Sequence, residues 1–332
     1  MGVELRRNII LSEVPVPGTY RYRDLFQLLP PPDDAPLPPA SLGDYPCVIE
    51  FAFTPRKMAR IDPAGYERPK WVVDNEIASQ TLREILLLLT LITSRRLFLF
   101  QGSFRQAWFV SLGSKGKKRE LAESEWGQEM YYCGEFDQNL KGFSSPPQEL
   151  IGQVDPNLYF NKIIILNEVL DFPKNVTAIL DCYYTLPDEA KRVFLSSCSL
   201  FDQAIRLWSE HPSLSFAAFV SALETLITYE HRNVGIEKCE TCGQEIFKVG
   251  EKFRDFFSAY GSPSPEFKSY ANKIYKYRSK ILHRGKLFLG EIEPRNIGSV
   301  GDMKDVELRR NIVLNCRICI VNWLTRTAGH NV

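Results

Sequence analysis

Hydrophobic residues change their period about halfway along this chain. In the first part they fall in short runs. Val48 to Phe53 (VIEFAF) alternates and is β-branched or aromatic, which predicts a strand. Leu97 to Phe100 and Trp108 to Leu112 predict two more, separated at Gly102, and Tyr131 and Tyr132 start another. Leu82, Ile85, Leu86, Leu89 and Ile92 share one helical face, predicting a long helix from Asp74 to Thr93 with Asp74 as its cap. Met1 to Leu29 is mixed in character. Pro30 to Pro39 is proline-rich and reads as an extended surface loop. Ser144-Ser145-Pro146-Pro147 marks a candidate boundary.

Beyond that boundary the spacing becomes helical. Asn157 to Leu170 is mixed, and Lys174 to Tyr184 predicts a short helix. Pro187 opens a longer one to about Trp208, with Val193, Phe194, Ser197, Phe201, Ala204, Ile205 and Trp208 along a face, and His211-Pro212-Ser213 breaks it. Ser215 to Glu230 follows, carrying Phe216, Phe219, Val220, Leu223, Leu226 and Ile227. Phe247 to Tyr260, a helix through Tyr275 to Gly285, and Lys304 to Arg326 complete the set. The expected architecture is an α+β N-terminal domain over 1–150, a helical connector over 151–186, and an all-α bundle over 187–332.

One helix carries the chemistry: Tyr275-Lys276-Tyr277-Arg278-Ser279-Lys280-Ile281-Leu282-His283-Arg284-Gly285. At 100° per residue, Tyr270, Ala271, Ile274, Tyr275, Tyr277, Ile281 and Leu282 form an apolar stripe. Lys273, Lys276, Lys280 and Arg284 cluster on the other side. Arg278 falls inside the apolar stripe. A guanidinium keeps its proton, so a buried one needs a partner. Glu224, at the flank of the Ser215–Glu230 face, is either that partner or a solvent-facing glutamate. His283 lies about 140° further round the helix, near the end that Arg284-Gly285 implies. Arginine's reach and a loosened last turn would bring both groups to one cleft. The plain alternative is a capping histidine and a snorkelling arginine.

This Arg-x4-His element resembles the signature of HEPN-domain ribonucleases. Its Tyr-x2-Arg-Ser-x3-His setting is similar to the Apea-like branch, as is Ser221-Ala222-Leu223-Glu224-Thr225-Leu226, where a Leu-Glu pair precedes an insertion. The resemblance covers about Pro187 to Arg326. It implies a HEPN-type helical bundle, paired as a homodimer so that two copies of Arg278 and His283 face each other. It implies a metal-independent endoribonuclease in toxin or anti-phage defence, with no cofactor for catalysis, in which the ribose 2′-OH attacks the adjacent phosphate. Arg278 and His283 are then catalytic. Ser279, Tyr275 and Glu224 support them, and Lys273, Lys276, Lys280 and Arg284 bind RNA. Histidine moves a proton near neutral pH, and arginine neutralises phosphorane charge with forked donors. The chain departs from the pattern at Ser279, where the wider family often has Asn, Asp or His, and at Arg284, which separates His283 from Gly285. Rival readings are a non-catalytic module binding RNA or nucleotide, and a zinc-stabilised interaction protein.

Composition narrows these choices only locally. The net charge of +1 draws no nucleic acid to the chain as a whole. From Lys268 to Gly290, however, there are seven Lys or Arg residues and no Asp or Glu. Met1 to Leu11 lacks the apolar core of a signal peptide, and no apolar run reaches membrane-spanning length. Eight cysteines in 332 residues make no disulfide scaffold, so a reducing, cytoplasmic setting is expected. Cys239-x2-Cys242-Gly243 has zinc-knuckle spacing, with His231 as a further ligand candidate for a structural zinc. Cys316 and Cys319 are either its second pair or small buried residues on the last helix. Lys115 to Arg119 lacks the spacing of a phosphate loop and reads as a solvated turn. Val3-Glu4-Leu5-Arg6-Arg7-Asn8-Ile9 recurs word for word at Val306 to Ile312, without a wider repeat around it.

Overall fold

The structure, a computed structural model, describes residues 2–31, 35–36, 38, 43–55, 60–61, 67–100, 106–111, 128–133, 139–145, 149–161, 169–234, 237–238, 245–246, 248–261, 265–288, 291 and 300–329. It forms two compact units, Met1–Val154 with Ile165–Phe172, and Asp155–Ile164 with Pro173–Val332. The first contains the sheet and the second is helical.

The first unit holds β1 (Glu4–Ser12), β2 (Tyr20–Tyr22), β3 (Phe26–Leu29), β4 (Tyr45–Phe53), β5 (Arg60–Ile61), β6 (Glu67–Arg68), α1 (Lys70–Thr93), β7 (Leu97–Phe98), β8 (Ala107–Ser111), β9 (Gln128–Tyr132), β10 (Asn139–Leu140) and β11 (Gln153–Val154). The main sheet runs β10-β1-β4-β3-β2, with β7 also on β1. β1 and β4 pair antiparallel along their full length, from Glu4 opposite Phe53 to Ser12 opposite Tyr45. The alternation read in Val48–Phe53 does not separate core from solvent, because every residue from Pro46 to Phe53 is buried. Arg6 faces α1, where its Nη1 donates to Asn75 Oδ1 at 2.7 Å. On the opposite pleat, Ile9, Leu11, Leu29 and Val48 pack with Trp108 and Val110 of the β8–β9 hairpin. A sheet covered on both faces needs apolar residues at successive positions.

Glu50 is the exception within that strand, and it is fully buried. It faces Arg7 on β1 and Gln27 on β3. It accepts from Arg7 Nε at 2.8 Å and Nη2 at 2.7 Å, from Gln27 Nε2 at 2.7 Å, and from Ser144 N at 2.8 Å and Oγ at 2.6 Å. Burial pushes its carboxyl up, but the donors from Ser144, Arg7 and Gln27 outweigh this and hold it below the usual value.

Asp74 does not cap α1. The helix starts one turn earlier, at Lys70 after Pro69, and Asp74 is buried and accepts from Lys70 Nζ at 2.7 Å. Proline before the helix fixes the entry without a side-chain cap. Met1 to Leu29, mixed by sequence, supplies three of the sheet's strands. The turn expected over Lys115–Arg119 lies outside the described residues.

β12 (Phe172–Pro173) lies where the chain passes between the units for the third time. The helical unit comprises α2 (Pro156–Asn161), α3 (Val176–Thr185), α4 (Asp188–Arg206), α5 (Pro212–Glu230), the short strands β13 (Glu237–Lys238) and β14 (Glu245–Ile246), α6 (Val249–Tyr260), α7 (Pro265–Arg284) and α8 (Val300–Thr327). The break expected at His211-Pro212-Ser213 does separate α4 from α5, and Pro212 itself opens α5 three residues before the expected start, at a position where no N–H partner is needed. α5 packs against α4, α6, α7 and α8. Small residues allow the close approach to α4, with Ser197 Oγ donating to Ala222 O at 2.8 Å and Ser215 Oγ to Ala204 O at 2.6 Å. Trp323 of α8 stacks on Phe194 of α4 at 6.1 Å. No helix among the described residues is long and apolar enough to cross a membrane.

Candidate functional site

α7 presents its sides as the period requires. Ala271, Ile274 and Ile281 are buried, while Lys273, Lys276, Lys280 and Arg284 are exposed. Leu282 departs from the expected stripe and is 46% exposed, although Ile281 beside it is buried. Tyr270 OH donates to Leu308 O at 3.0 Å and Tyr277 OH to Asp305 Oδ1 at 3.0 Å, fixing α7 against α8.

Arg278 is turned inward. Its Nη2 donates to Glu224 Oε2 on α5 at 2.7 Å, and both side chains are 19% exposed. Of the two roles open to Glu224, the structure selects the partner. Burial raises the Glu224 carboxyl above its usual value, and the Arg278 charge only partly offsets this. Arg278 Nε is buried without a hydrogen-bond partner. Tyr275 sits beside the pair, its phenol raised first by burial and then by Glu224, with Arg278 opposing. Ser279 is half-buried on the next turn.

His283 is exposed, and its ring makes no hydrogen bond or ion pair among the described residues. The last turn is not loosened. α7 stays helical to Arg284 and ends at Gly285, whose φ of +61° suits glycine and whose N–H donates to Ile281 O at 3.2 Å. Regular geometry therefore keeps His283 about 140° round from Arg278. Within one chain the two groups do not share a face.

The segment after Gly285 is pinned. Phe288 is buried, stacks on Tyr277 at 4.9 Å and meets Phe216 edge-on at 5.5 Å. Its N–H donates to Ser213 Oγ at 2.8 Å. Glu291 accepts from Ser213 N at 3.2 Å, holding this strap on the first turn of α5. Sequence reading missed Phe288 and Glu291, which lie between the last two expected helices.

Cys239 and Cys242 lie outside the described residues. The strands flanking them pair antiparallel, Lys238 opposite Glu245. His231 caps the C-terminal end of α5. Cys316 and Cys319 are fully buried in α8, and burial pushes both thiols up. Cys316 Sγ donates to Phe219 O at 3.3 Å, so this pair packs as small core residues. Among the described residues no cluster of three metal-ligating side chains occurs.

Comparison with protein-family models, curated proteins and solved structures finds no match to this chain.

Proposed function

We propose that the helical unit is a HEPN-type endoribonuclease, metal-independent and acting on RNA as a homodimer. One observation carries this reading. A single helix bears an anchored arginine, Arg278, and an exposed histidine, His283, with no partner among the described residues, beside the exposed Lys273, Lys276, Lys280 and Arg284. RNA supplies the phosphate and its own 2′-OH nucleophile, so the protein needs neither a covalent residue nor a metal. His283 moves the proton between the 2′-OH and the leaving 5′-oxygen. Arg278 holds the phosphate, Ser279 and Tyr275 support it, and Lys273, Lys276, Lys280 and Arg284 steer the strand. The test is incubation of the purified protein with mixed RNA in EDTA, beside an Arg278→Ala/His283→Ala variant. Equal cleavage by the two proteins would reject the reading.

The angle between Arg278 and His283 in one chain is what calls for a second copy. A two-fold pair would set one protomer's histidine near its partner's arginine. Light scattering is expected to give a dimer at micromolar concentration. A strict monomer with full nuclease activity would sink this assembly.

The Arg278–Glu224 pair favours a second reading, a module that binds RNA or nucleotide without cutting it. A guanidinium already neutralised by a carboxylate is a sound structural feature without any chemistry. RNA binding without cleavage by the intact dimer would select it.

A structural zinc at Cys239 and Cys242 is proposed as a brace for the segment between α5 and α6, apart from the reaction. Up to one ion per chain is expected by metal analysis, and Cys239→Ser is expected to lower the melting temperature more than the rate. Zinc-free protein from zinc-rich expression would end the idea.

A further inference from the structure

A second guanidinium stands near the Arg278 pair, on a different helix. Arg254 lies one turn past Gly250 on α6 and is half-buried. Its Nη1 donates to Asn272 Oδ1 on α7 at 3.2 Å. Asn272 is neutral, and among the described residues no carboxylate forms an ion pair with Arg254. Among the described residues, the arginine is thus anchored without being neutralised. A Cβ added at Gly250 would lie 3.8 Å from Arg254 Nη1 and 3.5 Å from Tyr275 Cε1, so guanidinium and ring flank one point that glycine leaves open. Tyr275 lies three residues before Arg278 on α7, which makes the two side chains neighbours on the helix surface, and the charges of Glu224 and Arg278 both act on its phenol. Glu224 takes only Nη2 of Arg278, and Arg278 Nε has no acceptor. Among the described residues, two guanidiniums thus stand against one carboxylate, with donors left unused. Such a set suits a phosphate, which accepts forked donors from several sides.

We infer that Arg254 and Arg278, with Tyr275 between them, form an anion subsite between α5, α6 and α7 that takes a phosphodiester of the RNA chain. The inference rests on the RNA reading and adds a substrate contact from a third helix. Position on α7 says which phosphate it is. Asn272, Ser279 and His283 are seven and four residues apart, so they fall within about 20° of one line along the helix. Asn272 is about 16 Å along the axis from His283. Arg254 therefore lies away from the histidine of its own protomer and serves the phosphate that Arg278 holds, the one a two-fold pair would bring to the partner's histidine.

The test is anisotropy titration of the full-length protein with a 2′-O-methyl RNA oligonucleotide, which offers phosphates but no nucleophile. Arg254→Gln is expected to weaken binding about tenfold and to reduce the slope of log K against log salt by about 0.7. Arg254→Lys keeps the charge without the fork and is expected to recover part of the loss. It also serves as the second variant should Arg254→Gln misfold. Unchanged affinity and slope in both variants would overturn the subsite, as would failure of the wild-type protein to bind the probe. Arg254-dependent binding with no cleavage of unmodified RNA would reject the ribonuclease and keep the subsite.

Discussion

Replacing His283 with alanine is expected to lower RNA cleavage by about 10²- to 10⁴-fold, the usual loss on removing a general acid–base group. Fold and RNA binding should survive, because the ring is exposed and no described residue depends on it. The helix end should hold as well, since Gly285 and the Phe288 strap terminate α7 without the imidazole. Products should carry 2′,3′-cyclic phosphate ends, and 2′-deoxy substrates should be inert, because the attacking oxygen belongs to the RNA. Chromatography of the ends and a rate measured in EDTA check both points. Full activity in the His283→Ala protein, or cleavage of an all-deoxy strand, would rule this mechanism out.

The helical half was the more legible part of the sequence, and the reason is physical. Its helices pack one side and expose the other, so the 3.6-residue period survives in the order of residues. Arg278 stood out because it broke that period, and Glu224 answers it from α5. Arg254 did not stand out, because a charged residue at the edge of an amphipathic helix breaks no rule. Only the packing of α6 on α7 brings it to Tyr275 and Asn272. The sheet was harder for a related reason. β1 is buried only from Asn8 to Ser12, and its polar Glu4, Arg6, Arg7, Asn8 and Ser12 follow no clean alternation, so it was hidden in a segment of mixed character.

The repeated heptapeptide shows how far context decides. Glu4 to Ile9 of the first copy lie in β1, paired to β4, whereas the whole second copy lies inside α8. Ile9 and Ile312 are buried and both glutamates, Glu4 and Glu307, are exposed, so the two conformations hide and show the same ends. Val-Glu-Leu-Arg-Arg-Asn-Ile holds strong helix formers beside β-branched residues, and local preference alone does not choose between them. The partners choose: an open edge of β4 for one copy, and the faces of α3, α5 and α6 for the helix that carries the other.

Glu50→Ala is expected to cost the sheet unit about 3 to 5 kcal/mol, the range found when one member of a buried ion pair is removed. The loss exceeds one ion pair, because Arg7, Gln27 and the Ser144 backbone and hydroxyl all donate to this carboxylate. Arg7 retains some access to water, with 24% of its side chain exposed, while Gln27 is fully buried and has no such relief. A loss of this size approaches the whole stability of many domains. The pH dependence has a definite sign. The carboxyl is held below its unfolded value, so its stabilisation is complete above the ordinary carboxylate range and is lost as pH falls through the lowered folded value. Glu224 has the opposite sign, since its carboxyl is raised and its contribution falls away as pH rises. Acid titration followed by hydrogen exchange should therefore loosen β1 and β4 without a matching loss at the α5–α7 contact. In Glu50→Ala that acid-dependent step should vanish along with most of the sheet's protection. A melting temperature within about 2 °C of wild type would mean that the network adds little, and that β1 and β4 hold by their ladder and apolar faces alone.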